Sequence, residues 1–226
     1  MIKKISETLP EFEYYVKGDN PTLLIHSGTH GDEYPIIDIV KKCVEKYEPL
    51  LPEFVFVPQV SPSAVKARRR FTGTGDDINR IFFSDSQNPE VVENIKVFNG
   101  HKFNTLVSFH EDVTVYDYYI YDSGFSVHES EVIKAHNKKI EKLGIKLLNG
   151  VDDPEDPSLN YEFKDGYRKF IEEPGDKNNG MITVWAMTER GVNETLIPEI
   201  PGMLSIKDKE TIIDTFFNDV LVKIVK

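Results

Sequence analysis

The stretch Thr22-Leu23-Leu24-Ile25-His26-Ser27-Gly28-Thr29-His30-Gly31-Asp32-Glu33 decides the fold class. Its first four residues form a run long enough for a strand and too short for a helix. The lack of polar alternation suits burial on both faces, as in a parallel sheet. A polar, glycine-bearing turn follows. Ile36, Ile37, Val40, Val44 and Tyr47 then recur with a 3.6-residue period, and Pro35 sits near the first turn of that helix. Strand, polar turn and amphipathic helix open a βαβ unit. The turn falls where open α/β sheets hold their ligands, beyond the carboxyl end of a strand.

The pattern continues outward. Phe54-Val55-Phe56-Val57 and Thr105-Leu106-Val107-Ser108-Phe109 read as further buried strands, Tyr116–Tyr121 as an aromatic-rich one, and Met181–Met187 as a late core strand. Helices are expected over 90–99, closed by Gly100, and over 127–143, with Ile133, His136, Ile140 and Leu143 in helical register before Gly144. A last helix carries Ile212, Ile213, Phe216, Phe217, Val220, Leu221 and Ile224 on one face. Residues 58–88 read as a long functional loop. Val151–Gly180, rich in Asp, Glu, Pro, Gly and Asn, reads as a surface segment and a candidate lid. Strands alternating with helices predict a three-layer α/β/α architecture around a mostly parallel, mixed central sheet. At 226 residues, the chain is expected to form one domain over 1–226.

Composition narrows the function. Hydrophobic residues make up 39% and charged residues 29%, a globular balance, while 38 Asp and Glu against 27 Lys and Arg give a net charge of −11. So acidic a body repels phosphate backbones, which argues against nucleic-acid binding. A single cysteine, Cys43, cannot form an internal disulfide and fits a reducing, cytoplasmic setting. The N-terminus has no apolar run of signal-peptide length, and no run of about 18 apolar residues predicts a membrane span.

His30 and Glu33, three residues apart, fall on one side of a first helical turn, where an imidazole and a carboxylate suit a small divalent ion, zinc first. His110, at the end of the strand from Thr105, can supply a third ligand. Two histidines and one glutamate leave a coordination position open for water, the pattern of catalytic zinc. His26, His101, His128 and His136 read instead as structural or solvated. The arginines Arg68, Arg69 and Arg70 could form a solvated basic patch. The Gly73/Gly75 pair lacks the Gly-Lys-Ser/Thr ending of a phosphate loop.

Taken in order, these residues resemble the zinc carboxypeptidase superfamily, and within it the succinylglutamate desuccinylase/aspartoacylase branch, from about Leu23 to Glu189. His30-Gly31-Asp32-Glu33 matches the His-x-x-Glu zinc pair, and His110 matches the third ligand. Ser61-Pro62-Ser63-Ala64 followed by Arg70-Phe71 resembles the branch's Asn-Pro-x-Ala … Arg-Phe segment. Asp77-Ile78-Asn79-Arg80-Ile81-Phe82 resembles Asp-Leu-Asn-Arg-x-Phe. Ser61 in place of asparagine and Ile78 in place of leucine are departures.

The resemblance implies one zinc per chain held by His30, Glu33 and His110. It implies Glu189 as general base and acid, with Glu194 as a rival, and Arg70 for the oxyanion, with Arg68 and Arg69 as competitors. Asn79 and Arg80 would grip a substrate carboxylate, and Asp77 would orient a zinc histidine. It further implies a catalytic domain without the branch's β-rich C-terminal domain, since the short stretch after Glu189 closes on a helix. The implied reaction is hydrolysis of an amide bond beside a free carboxylate, of the N-acyl-amino-acid deacylase type, on a small-molecule or short-peptide substrate. A small metallocarboxypeptidase acting on short or cell-wall peptides is the alternative. A non-catalytic, zinc-retaining carboxylate- or peptide-binding module is the alternative of another class. Substrate identity and oligomeric state stay open.

Overall fold

The computed structural model describes residues 1–153, 159–171 and 178–224. In chain order the strands are β1 (Ile2–Ile5), β2 (Glu13–Lys17), β3 (Leu23–His26), β4 (Phe54–Val57), β5 (Thr105–Ser108), β6 (His110–Asp112), β7 (Tyr119–Gly124), β8 (Gly150–Val151), β9 (Glu162–Phe163), β10 (Tyr167–Ile171) and β11 (Glu194–Pro201). The helices are α1 (Ile37–Tyr47), α2 (Pro62–Ala67), α3 (Pro89–Gly100), α4 (Glu131–Lys142), α5 (Ile182–Arg190) and α6 (Ile206–Phe216), the last continuing through a π turn at Phe217–Leu221.

The main sheet runs β1-β2-β4-β3-β5-β11-β7-β10, with β6 also paired to β11. Strands β4, β3, β5 and β11 are mutually parallel, whereas β1, β2 and the β7–β11 pair introduce antiparallel neighbours. All four residues of β3 and of β4 are buried, as expected of strands covered on both faces. Alternation divides the core. Leu23, Ile25, Phe54 and Phe56 pack with α1, α4 and α6 in one layer, while Leu24, Val55 and Val57 pack with α3 and α5 in the other. This is the three-layer mixed α/β arrangement anticipated from the alternating pattern. No helix among the described residues is long and apolar enough to cross a membrane.

Three expectations need correction. Met181–Met187 is not a strand: Ile182–Arg190 is helix α5. Its run of β-branched and aromatic residues favours a strand locally, but Ile182, Trp185 and Ala186 bury one helical face, with Trp185 edge-on to Phe82 and Phe98. Gly191, at φ 69°, closes the helix by donating its N–H to Met187 O at 3.2 Å. The late core strand is instead β11.

Second, residues 58–88 hold the short helix α2 and a 3₁₀ turn at Ile78–Arg80 rather than loop alone. Third, Val151–Gly180 contributes β9 and β10, the latter parallel to β7. Within that candidate lid, residues 154–158 and 172–177 lie outside the described residues.

Candidate functional site

The parallel strands end at one rim, and the chemistry gathers there. After β3, the chain turns through Ser27–Thr29, and His30 stands in extended backbone before the 3₁₀ turn Gly31–Ile36. Glu33, three residues on, shares a side of that turn with His30. Its Oε1 lies 2.6 Å from His30 Nδ1. His110 opens β6, and its Nδ1 lies 3.0 Å from the same Glu33 oxygen. The three side chains are buried, and their ligand atoms fall within 4.8 Å of one another.

The far nitrogens of both imidazoles are engaged elsewhere. His30 Nε2 is 3.2 Å from Asp77 Oδ1, and His110 Nε2 is 3.1 Å from Ser108 Oγ. Those contacts fix each ring so that Nδ1 is the atom left for a metal, the outer-shell arrangement usual around metal-ligating histidines. Two neutral-capable imidazoles and one carboxylate oxygen, all buried and converging, fit a divalent ion.

The electrostatics agree. Burial alone would raise Glu33, but the His110 and His30 rings hold it down to about 2. Burial alone would lower His30, but the Glu33 charge and its hydrogen bonds to Asp77 and Glu33 lift it to about 9. A buried carboxylate and an imidazole that each favour the charged form are arranged for a cation that can replace the proton between them.

Gly31 is required by space. A Cβ there would stand 1.8 Å from Ala64 O and 2.6 Å from Arg69 O, both backbone atoms. The Gly31 N–H donates to Arg69 O at 3.0 Å. This approach locks the metal-side turn onto α2 and the arginine segment. Gly31→Ala must therefore displace backbone on one side, and a loss of at least about 2 kcal/mol in unfolding free energy is expected, at the level of overpacked cores. Thermal or urea unfolding reads it directly; a wild-type midpoint would show that the turn is not locked as described.

The arginines separate. Arg68 is left-handed, at φ 51°, with its guanidinium over the Tyr34 ring at 4.5 Å. Arg69 donates to Thr72 O. Of the three, Arg70 alone lines the cavity, held by Asp77 Oδ2 through Nε at 2.9 Å and Nη2 at 2.8 Å. Burial works against the Asp77 charge, yet His30 and Arg70 together keep its carboxyl well below the usual range. Asp77 thus joins the metal-side histidine to the arginine. Asn79 and Arg80 also line the cavity. Asn79 Oδ1 accepts the Ile182 N–H at 3.0 Å, which ties the site to the start of α5.

Glu189 does not join them. It sits exposed in the last turn of α5 and is not among the residues lining the cavity. Glu194, at the first residue of β11, faces Lys169 at 3.7 Å and also lies outside the lining. Among the carboxylates that line the cavity, Glu199 is the direct partner of His110 across the parallel β6–β11 pair. Burial pushes its carboxyl up to about 8, opposed by His110 and reinforced by Glu33 and Asp112.

A signal for Glu199 exists in the sequence: one carboxylate inside Thr195-Leu196-Ile197-Pro198-Glu199-Ile200, an otherwise apolar run. Pro198 masks it, because proline ordinarily disqualifies a central strand. Here β11 pairs with β5 through Leu196 and with β6 from Glu199, so Pro198 falls at the interruption between them.

The cavity has a volume of about 520 Å³, within the roughly 300–1,000 Å³ of small-molecule sites. Tyr119, Tyr121, Tyr161, Phe170 and Ile197 also line it, and the sequence marked none of them as site residues. His26 is buried edge-on to Phe98, and burial lowers it to about 3. His136 packs against Tyr118 and Phe216 in the core.

Several solved structures share this fold. A candidate metallopeptidase from Shewanella amazonensis SB2B superposes with a TM-score of 0.74 at 17% identity, over 99% of this chain and 86% of that one. A second, from Shewanella baltica OS155, gives 0.76 at 15% identity, over 100% and 87%. A succinylglutamate desuccinylase from Silicibacter sp. TM1040 gives 0.57 at 15% identity, over 93% of this chain and 60% of that one. No curated protein matches the chain significantly in sequence. Residues 19–120, which carry the His30–Glu33 pair, Arg70, the Asp77–Arg80 segment and His110, match the family model of the succinylglutamate desuccinylase/aspartoacylase catalytic domain. Through that segment the chain is similar to the succinylglutamate desuccinylase/aspartoacylase catalytic domain, and its fold is zinc-carboxypeptidase-like.

Proposed function

We propose that this protein is a zinc-dependent hydrolase of an amide bond adjacent to a free carboxylate, its catalytic machinery contained in one domain over 1–226. The observation that carries the reading is the convergence of His30 Nδ1, His110 Nδ1 and the Glu33 carboxylate in a cavity that also receives Glu199, Arg70, Asn79 and Arg80. His30, Glu33 and His110 would hold the ion, and the nitrogen–oxygen donor set without thiolate favours zinc in an open, catalytic site. When bound, such an ion polarises the scissile carbonyl and lowers the pKa of water toward about 7.

The chain's own residues supply the rest. Glu199, in place of Glu189, takes the proton of the attacking water and returns it to the leaving amine. A carboxyl raised toward neutrality is suited to both transfers. Arg70, anchored by Asp77, presents its guanidinium to the charge that develops on the carbonyl oxygen. Arg80 and the amide of Asn79, oriented by its bond to Ile182 N–H, hold the carboxylate beside the scissile bond. Asp77→Asn keeps the acceptor for the Asn79 N–H and removes the charge facing His30 and Arg70. It should weaken metal affinity by about 10–100-fold, read by competition with a chelator; unchanged affinity would remove Asp77 from this role.

N-acyl amino acids and short carboxyl-terminal peptides both meet the description, and they differ only in what lies on the acyl side. The test is release of free amino acid from both classes by zinc-loaded protein. No release from either class, with zinc bound, would overturn the reading.

A further inference from the structure

We propose that the acyl side of this site receives a positively charged group, an ammonium, so that the preferred substrate is an unblocked, zwitterionic dipeptide-like amide rather than an N-succinyl or N-acetyl amino acid; this rests on the hydrolase reading above. The inference begins with charge. Besides Glu33 and Glu199, the cavity is lined by Asp32, Glu111, Asp112 and Asp153, against only two guanidiniums among the described residues, Arg70 and Arg80. Arg70 is already held by Asp77, and Arg80 is assigned to the amino-acid carboxylate. A divalent ion at the triad would offset Glu33 and one further negative charge. Nothing on the described walls then answers a second substrate carboxylate, and like charges brought together without a counter-ion cost several kcal/mol.

The two signs also approach from opposite layers. Asn79 is fastened to the start of α5, which packs on one face of the sheet. Glu111 is fastened to Lys209 of α6, which packs on the other. The carboxylate anchor and the acidic wall therefore flank the triad.

Glu111 is the independent observation. It is only 6% exposed and lines the cavity. Its Oε1 accepts from Lys209 Nζ at 2.9 Å, and Lys209 also donates to Gly202 O at 2.8 Å. Glu111 Oε2 is buried with no hydrogen-bond partner, and so is Oδ1 of its neighbour Asp32. Two carboxylate oxygens left without donors cost about 1–3 kcal/mol each, a deficit that an N–H⁺ donor from a ligand would relieve. Beside them, the Tyr119 hydroxyl donates to Asp112 Oδ2 at 2.8 Å, so a ring backed by a carboxylate faces the same space, a surroundings that favours cations.

The experiment uses three amides of leucine whose acyl groups match in length and differ in charge: β-alanyl (+1), butanoyl (neutral) and succinyl (−1). Binding is measured by calorimetry to zinc-loaded Glu199→Gln protein, and kcat/KM on the wild type. The β-alanyl compound should bind at least about tenfold more tightly than the butanoyl one, with the succinyl compound weakest. Asp32→Asn should shrink the β-alanyl advantage over the butanoyl compound; an unchanged ratio in the folded variant counts against the acidic wall. The wild-type series stands alone should that variant not fold. Succinyl binding equal to or tighter than β-alanyl, with turnover observed, overturns this inference and leaves the hydrolase reading intact. Failure of all three to bind zinc-loaded protein overturns both.

Discussion

Glu199→Gln is expected to bind metal like the wild type and to lose at least about 100-fold in turnover, the usual scale for removing a group that moves a proton in the transition state. The substitution keeps size and shape in a half-buried position of β11 and removes only the capacity to accept and return a proton. Folding should therefore be preserved, because Leu196 and Ile200, the flanking residues that β11 buries in the core, are untouched. The matching control is Glu189→Gln. That side chain lies exposed at the end of α5, and its loss should leave turnover at the wild-type level. Metal content by elemental analysis and turnover are read on both proteins. A Glu199→Gln enzyme of ordinary activity, or an inactive Glu189→Gln enzyme, would reverse the assignment of the base.

The second large effect is at the metal. His110→Ala removes one of three converging donors and leaves Glu33, which sits between the two imidazoles, with His30 alone. Wild-type protein is expected to carry about one zinc per chain, the variant essentially none, with turnover falling below detection as the open catalytic site is lost. Because His110 is 5% exposed and its ring fills space beside His30, a cavity cost of about 1–3 kcal/mol should accompany the loss. Stability and metal content must therefore be measured together. Full zinc occupancy in a folded His110→Ala protein would exclude this residue from the site.

Local chemistry explains what could be read without coordinates. The strands β3, β4 and β5 are short, mostly apolar runs without polar alternation, because a strand covered on both faces has no solvent side to betray. His30 and Glu33 were legible because one turn brings residues three apart together, a relation fixed by backbone geometry. The helices α1, α3, α4 and α6 announce themselves by apolar stripes, prolines at first turns or glycine stops.

Helix α5 was not legible as such. Its residues prefer strands in isolation, and the deciding terms come from elsewhere in the chain: Asn79 capping Ile182, and the Phe82 and Phe98 rings receiving Trp185. Reading α5 as a strand put the last strand too early, so that Glu189 took the strand-end place that the fold gives to β11, whose Glu199 lines the cavity. Choosing Arg70 among three adjacent arginines likewise required Asp77, seven residues away and ion-paired only in the folded chain.

The layered α/β class and the His30–Glu33 pair are both readable from local sequence, since each rests on the periodicity of a single turn or strand. Only the folded chain sets which carboxylate stands beside His110, which arginine reaches the cavity and what charge its walls present. Each of those depends on strands and loops distant in sequence meeting at one rim, and no local preference encodes that meeting.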